Sequence, residues 1–586
     1  GYLSRLGGYG IAGSLAVLTL FSVPVFAAAG NNAVIEEVVV TARKQEESVQ
    51  DVPIAITALT QELENGSIRN LSDLNGYAPN LVFGSDGSRG GGGANINIRG
   101  ISPTRGDDNS FDAPIAVVID GIYLGTLAGQ VLENFDLERV EVLRGPQGTL
   151  FGKNTVGGVV NVIRSRPTGE LGGKFKLTAG SDGQREARAV LNLGLGDTTA
   201  LKLFGTQIDY DGFMDNITTG NGVAEKDYSN IGATLLFSPT ENFEALLTVE
   251  TFMDEGTLDA YHTNYNTLMD AAKATARFAE NDFSRGFTTC TDINGYTPDG
   301  NPIYVNLPFN SCRTSLDRPS VSENDTDNLY SLDTDAITLN MSLDLNENLT
   351  LVSVTGRREV DEYRIYDFDA SAVPFITIER DNEYEQTSQE LRIDGAFDRV
   401  RFTAGLYYFK NEFTQDWYTG GEFWAKLFGG LLNAPDLGAA LGVPALAGLD
   451  GLTGCKIGIF APIACDQGLT DVSGNIHQIL YETQVTKSTA VFAQMDYDLT
   501  DQLTLTAGVR WTKEEKDFIA GQSYLTSPDR ERLRQFPEYA DLEQEWTEVS
   551  PRVGLTYAIN DSSMVFLTYS EGFKSGGFFG VNQNIR

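Results

Sequence analysis

Residues 139–164, RVEVLRGPQGTLFGKNTVGGVVNVIR, decide the reading of this chain. Val140 and Val142 alternate with Arg139 and Glu141, the period of a strand. A loop follows with Gly145, Gly148, Gly152, Gly157 and Gly158, and the stretch closes on the β-prone run Val159–Ile163. Glycine at this density lets backbone approach backbone closely or take positive φ. A phosphate-binding loop ending at Gly152-Lys153 would need glycine at position 147 and Ser or Thr at 154. The chain has Gln147 and Asn154, so that chemistry is excluded.

The stretch VEVLRGPQGTLFGKNTVGGVVNVI resembles the end of the plug domain of TonB-dependent outer-membrane receptors, and Asn97-Ile98-Arg99-Gly100 resembles that family's other plug signature. The resemblance runs from about Ile35 to Arg586. It implies a mainly β fold: a transmembrane antiparallel β-barrel with an N-terminal α+β plug. The expected divisions are a signal peptide at 1–29, an extension carrying a TonB box at 30–49, the plug at 50–167 and a partial barrel at 168–586.

Composition agrees with an exported barrel. No apolar run marks a spanning helix, but barrel strands alternate lipid-facing and lumen-facing residues and need none. A net charge of −37 repels nucleic acid. With 23 Tyr, 32 Phe and 62 Gly beside it, that charge reads as acidic outer loops on an aromatic-girdled barrel. The only two histidines, His262 and His477, lie far apart, which argues against a histidine triad or zinc site. The acidic run at Asp325 and Asp327 has Tyr330 where a calcium loop would need glycine. No metal, cofactor or catalytic residue is expected. The four cysteines form two near pairs, Cys290 with Cys312 and Cys455 with Cys465, which read as disulfides of an oxidising compartment rather than as free thiols.

At the N-terminal end, Arg5, the apolar run Ile11–Val25 and Ala27–Ala29 read as an export signal, and the opening Gly1 in place of Met implies residues before it. Glu37-Val38-Val39-Val40-Thr41-Ala42 then resembles a TonB box, a segment able to add a strand to a partner's sheet and expected to lie outside both plug core and barrel. Leu63, Ile68, Leu71 and Leu74 suggest a short helix, and Ile115–Ile119, Asp120-Gly121 and Ile122–Leu124 a hairpin. Beyond Pro167 the chain alternates strand, short turn, strand, long loop. Leu503–Trp511 and Ile337–Leu345 are its cleanest strands, of the roughly 9–11-residue length that crosses a bilayer. Short turns near 196–199, 239–242, 346–348, 398–399, 500–502 and 560–562 oppose long loops near 254–332 and 413–484, the arrangement of outer-membrane barrels. From Gly173 onward thirteen strand-like segments are expected, the last near Met564–Tyr569. Plugged transporters have 22, so the barrel is expected to be incomplete and unclosed.

The resemblance implies function and sites. TonB, drawing on its inner-membrane complex, would pull the plug of an outer-membrane transporter embedded in lipid, admitting a scarce small-molecule ligand: siderophore, cobalamin, saccharide or similar. A passive porin and a barrel enzyme are the alternatives. Arg99 and Arg144 match the signature arginines that pair with barrel carboxylates, and alternation selects Glu390 and Glu548 as partners. Arg105, Phe111, Trp417, Tyr418 and Trp424 are candidate ligand contacts, and the apolar loop 426–452 is expected to fold over the barrel mouth.

Overall fold

A computed structural model describes residues 38–60, 71–84, 95–103, 108–130, 135–216, 219–258, 326–368, 376–420, 477–525, 540–560 and 563–578, with the backbone of Thr289–Tyr296, Pro302–Pro308 and Val321–Ser322. The signal segment, the 426–452 loop and Cys312, Cys455 and Cys465 lie outside the described residues. Everything below belongs to one compact unit, Val39–Arg586.

The quoted stretch forms the centre of a five-stranded sheet. Leu137–Arg144 and Gly158–Arg164 run antiparallel, flanked by Ile56–Leu59 on one side and by Ile115–Ile119 and Ile122–Tyr123 on the other. Continuous apolar runs suit strands covered on both faces, and Val117, Val140, Val142, Val160 and Val162 are fully buried. Gly158 has φ +151°, and a Cβ there would strike the carbonyl oxygen of Leu143. The expected hairpin forms, with Asp120 and Gly121 at φ 47° and 90°. Among the described residues the expected helix is reduced to a 3-10 turn, Leu71–Leu74, whose two leucines are buried in the plug core.

The second body is a wall of thirteen strands, each hydrogen-bonded antiparallel to its sequence neighbours. They are β1 Gly172–Ala179, β2 Arg185–Gly194, β3 Thr199–Tyr210, β4 Lys226–Thr240, β5 Phe243–Thr257, β6 Leu329–Asn346 and β7 Leu349–Asp367. β8 Thr377–Ala396, β9 Val400–Gly420, β10 His477–Thr500, β11 Leu503–Leu525, β12 Ala540–Asn560 and β13 Ser563–Ser570 complete it. The strand count and all six short turns agree with the sequence. β1 pairs only with β2 and β13 only with β12, so the wall is open, as expected.

Alternation sorts the two faces. Arg510, Thr512, Glu514 and Lys516 are buried on the inner face, whereas Val509 and Trp511 are 47% and 41% exposed on the outer face. The strands are longer than expected: β11 runs 23 residues, not the nine read from its apolar pattern. The pattern ends because the outer face turns from apolar to charged. Beyond Trp511, Lys513 pairs with Glu515 and Glu545, and on β7 Arg357 pairs with Glu359 and Glu385. The backbone ladder continues past the point where lipid would no longer select the side chains.

The seam between plug and wall as candidate functional site

The N-terminal segment lies at the turn end of the wall. Val39–Val40 pairs with Glu47–Ser48 around a tight bend in which Lys44 has φ +67°. Val40 and Ala42 are buried, and Thr41 N–H donates to Glu141 Oε1 at 2.7 Å. Glu141 is itself fully buried on the central plug strand and also accepts from Arg139 Nε and Asn161 Nδ2, both at 2.9 Å. The expectation that this segment lies outside the plug core is therefore corrected for Val39–Ala42. One buried carboxylate fixes it to the sheet, because the Thr41 amide has no strand partner of its own. Glu37 is outside the described residues.

Immediately beyond, two cations reach the wall. Lys44 Nζ lies 2.8 Å from Glu390 Oε2 and Arg43 Nη1 2.6 Å from Asp496 Oδ2, with Glu47 also bonded to Arg43. Arg392 holds the other Glu390 oxygen at 3.0 Å. Glu390 is buried on the inner face, and the cation it takes from the N-terminal segment is Lys44. Arg99 and Arg144 pair with neither Glu390 nor Glu548 and make no ion pair among the described residues. The reason is local. Arg99 sits at φ +55° in the exposed bend after Ile98, its guanidinium against Gly145. Arg144 ends its strand beside it, and burial and then the Arg99 charge lower its pKa. Glu548, opposite Thr512 on β11, is half-buried and likewise makes no ion pair among the described residues.

Further along the wall axis the plug core is clasped directly. Gln386 Nε2 donates to Tyr123 O at 2.7 Å while its Oε1 accepts from Gly125 N at 2.9 Å. Arg358 donates to Gly129 O at 2.9 Å. Arg164 spans Asp120 and Glu250, and Lys202 binds Asp136 at 2.6 Å. Nearer the loop end Lys153 meets Glu514 at 2.6 Å, and Asp112 meets Lys516. Burial opposes ionisation of Asp112, but Lys516, Lys153 and Lys574 together hold its carboxyl well below the usual range. Burial likewise opposes the charge on Lys153, and Glu514 with Asp112 outweighs it and raises the pKa. The segment after β13 completes the clasp. Phe573 O accepts from Asn154 N at 2.8 Å, Ser575 N donates to Asn154 Oδ1 at 2.9 Å, and Ser110 Oγ donates to Phe578 O at 2.9 Å.

The candidate ligand contacts do not form one site. Phe111 stacks under Lys574, whose Nζ is 3.8 Å from the ring centroid. Trp417 faces the lumen under Arg380 at 3.6 Å. Tyr418, adjacent on β9, is turned to the other strand face, so the two cannot both line the lumen. Arg105 and Trp424 are outside the described residues, and of the cysteines only the backbone of Cys290, paired with Leu307, is described. The seam residues Arg43, Lys44, Asp112, Lys153, Asp496, Glu514 and Lys516 were not singled out from sequence. Charged residues at inward positions of an alternating strand, such as Glu514 and Lys516, were the available signal.

Comparisons with known proteins agree with this architecture. The family model for the TonB-dependent receptor plug domain matches residues 48–159, and that for the TonB-dependent receptor-like β-barrel matches residues 260–585. The vitamin B12 transporter BtuB of Vibrio vulnificus is 31% identical over 183 residues, 30% of this chain and 28% of that protein. The ferrioxamine receptor of Yersinia enterocolitica is 26% identical over 205 residues, 34% of this chain and 27% of its own length. Among solved structures, the ferric yersiniabactin uptake receptor FyuA of Yersinia pestis superposes with a TM-score of 0.64 at 17% identity, over 90% of this chain and 66% of that one. The chain thus matches little more than a quarter of the curated relatives' length and spans about two thirds of the solved receptor. With a plug seated against a thirteen-stranded wall and the barrel model alone covering more than half of its length, the chain belongs to the TonB-dependent receptors.

Proposed function

We propose that this chain provides the plug and part of the barrel of an energised outer-membrane uptake receptor, not an enzyme or a passive pore. The observation that carries the reading is the two-ended seam. A plug clasped by buried ion pairs opposes free diffusion through the lumen, while its N-terminal segment is tied down at the turn end by Glu141, Glu390 and Asp496. Ligand taken up on the loop side would loosen that segment, and TonB would pair with the backbone around Val38–Ala42 and draw on the plug. The ligand class is siderophore or cobalamin, by likeness to the transporter and the ferrioxamine receptor.

The test is uptake of radiolabelled cyanocobalamin and of ferrioxamine by cells carrying the receptor, with and without a protonophore. Uptake of one that stops with the protonophore is expected. Uptake that persists would indicate a passive pore and overturn the reading. Val39→Pro removes a backbone donor from the coupling strand; it should abolish uptake and leave binding at 0 °C intact, and normal uptake would refute the coupling role.

A further inference from the structure

Two buried arginines of the wall have no evident use in the seam as it stands. Arg510 and Arg552 face the lumen beside the turn-end ion pairs, each 3% exposed. Neither has a carboxylate within ion-pair distance among the described residues. Arg510 donates Nε to Thr512 Oγ1 at 3.2 Å and lies 5.3 Å and 5.4 Å from the Tyr407 and Phe492 ring centroids. It is pressed on Gly152, where a Cβ would fall 2.8 Å from its Nη2. Arg552 reaches only Gln147 Oε1, at 3.5 Å, and its Nε has no acceptor.

Burying a guanidinium without a counter-charge is unfavourable, yet the wall does so twice in one place. The neighbouring carboxylates are close enough to act on both: Glu390 on Arg510, and Asp496 and Glu47 on Arg552. Those carboxylates are already occupied by Lys44 and Arg43, so the arginines also repel the segment's own cations. Arg510 acts against Lys44, and Arg552 against Arg43.

We propose that Arg510 and Arg552 are stand-in partners for Glu390 and Asp496, taken up when the segment carrying Arg43 and Lys44 leaves the wall. The charge inventory supports it. Apart from the self-contained Arg401–Asp498 pair, the wall itself holds three cations here (Arg392, Arg510, Arg552) and three carboxylates (Glu390, Asp394, Asp496), and the docked segment adds Arg43 and Lys44, with Glu47 of its own bonded to Arg43. Departure of Arg43, Lys44 and Glu47 leaves three cations facing three carboxylates. The wall's own charges balance without the segment, and the two cations that dock beside Arg510 and Arg552 supply a built-in push. This inference rests on the coupling role proposed for the segment. It identifies Arg510 and Arg552 as positioning residues for release.

Hydrogen exchange of the Thr41 amide, in the full chain in detergent without TonB, reads release directly. In an Arg510→Gln, Arg552→Gln double variant the released state loses its partners and the docked state loses its repulsion. Exchange should slow by about tenfold or more, the scale set by a buried charge losing its partner. If the arginines only pack, removing them loosens the seam; unchanged or faster exchange overturns the proposal. A second measurement leaves the wall untouched. In a solved structure of an Arg43→Gln, Lys44→Gln chain, Arg510 should move onto Glu390 and Arg552 onto Asp496; arginines that stay in place overturn it. Neither readout needs transport, so a failure here is distinct from a failure of the uptake reading.

Discussion

The two ends of the seam use the same kind of interaction and differ in what they permit. At the turn end the plug's partners, Arg43 and Lys44, come from one short segment outside the five-stranded sheet, tied to it through the Thr41 amide. At the loop end they are Asp112 and Lys153, which flank the sheet itself, and the segment after β13 is stitched across them. One end can let go without unfolding the plug, whereas the other cannot. An ion pair's capacity to act as a switch is set by what its residues are attached to.

The sharpest way to break this comparison is to remove one carboxylate from each end. Glu514→Gln strands Lys153 in a buried site, leaving Lys516 to Asp112, and should cost about 3–5 kcal/mol in denaturant unfolding, with plug protection lost first. Glu390→Gln should cost less, because Lys44 can swing out with its segment. A larger penalty at Glu390 would invert the comparison.

Next in size is Glu141→Gln. It weakens the tie to Thr41 N–H together with the buried Arg139 pair, so local exchange at Val40–Ala42 should rise by the equivalent of about 1–3 kcal/mol more than global stability falls. Local exchange that rises no more than global stability falls would show that the segment is integral to the plug.

Alkaline pH separates the ends by sign. The depressed Asp112 contributes stability above its unfolded pKa and loses it as pH falls, while the raised Lys153 contributes below its unfolded pKa and loses it as pH rises. The loop end therefore holds from about pH 4 to about pH 10. Lys44 is lowered, chiefly by burial, with Glu390 opposing and Arg392 and Arg510 adding to the shift. Its contribution is unfavourable while it is charged and improves as pH climbs toward the ordinary lysine value. As pH rises toward the ordinary lysine value, Thr41 exchange corrected for intrinsic rate should slow while that of Asn154 stays level.

The smallest effect should come from the outer-face pairs. Arg357, half exposed between Glu359 and Glu385, should leave the melting temperature unchanged on replacement by Ala.

Much of this architecture is legible in residue order alone. Glycine spacing in 139–164, Asp120-Gly121 and the six short turns are local signals, each needing only its neighbours to fix a conformation. The faces of β8 and β12 were legible too, since Leu391 and Val549 are exposed outward as alternation requires. Ion-pair partners were not. Lys44 and Glu390 are 346 positions apart, and their meeting depends on how deeply the plug sits and which wall strand passes it. The signature arginines misled because their place in a motif says nothing about rotation: Arg99 occupies a positive-φ bend that points it at Gly145 instead of the wall.

Every strand of the wall bonds only to its neighbours in sequence, and this has a kinetic consequence. Each new strand closes one hairpin, across as few as two residues between Asn346 and Leu349, and even the connection from Thr257 to Leu329 adds only a logarithmic entropic term. Such local zippering is the fast part of assembly. The plug's ion pairs to the wall join residues from 66 positions apart, at Asp136 and Lys202, to 453 apart, at Arg43 and Asp496, and can form only once the strands they bridge exist. Glu514 and Asp496 both lie on strands made late in the chain, so the plug must wait, already folded around its own valine core, for the surface that receives it.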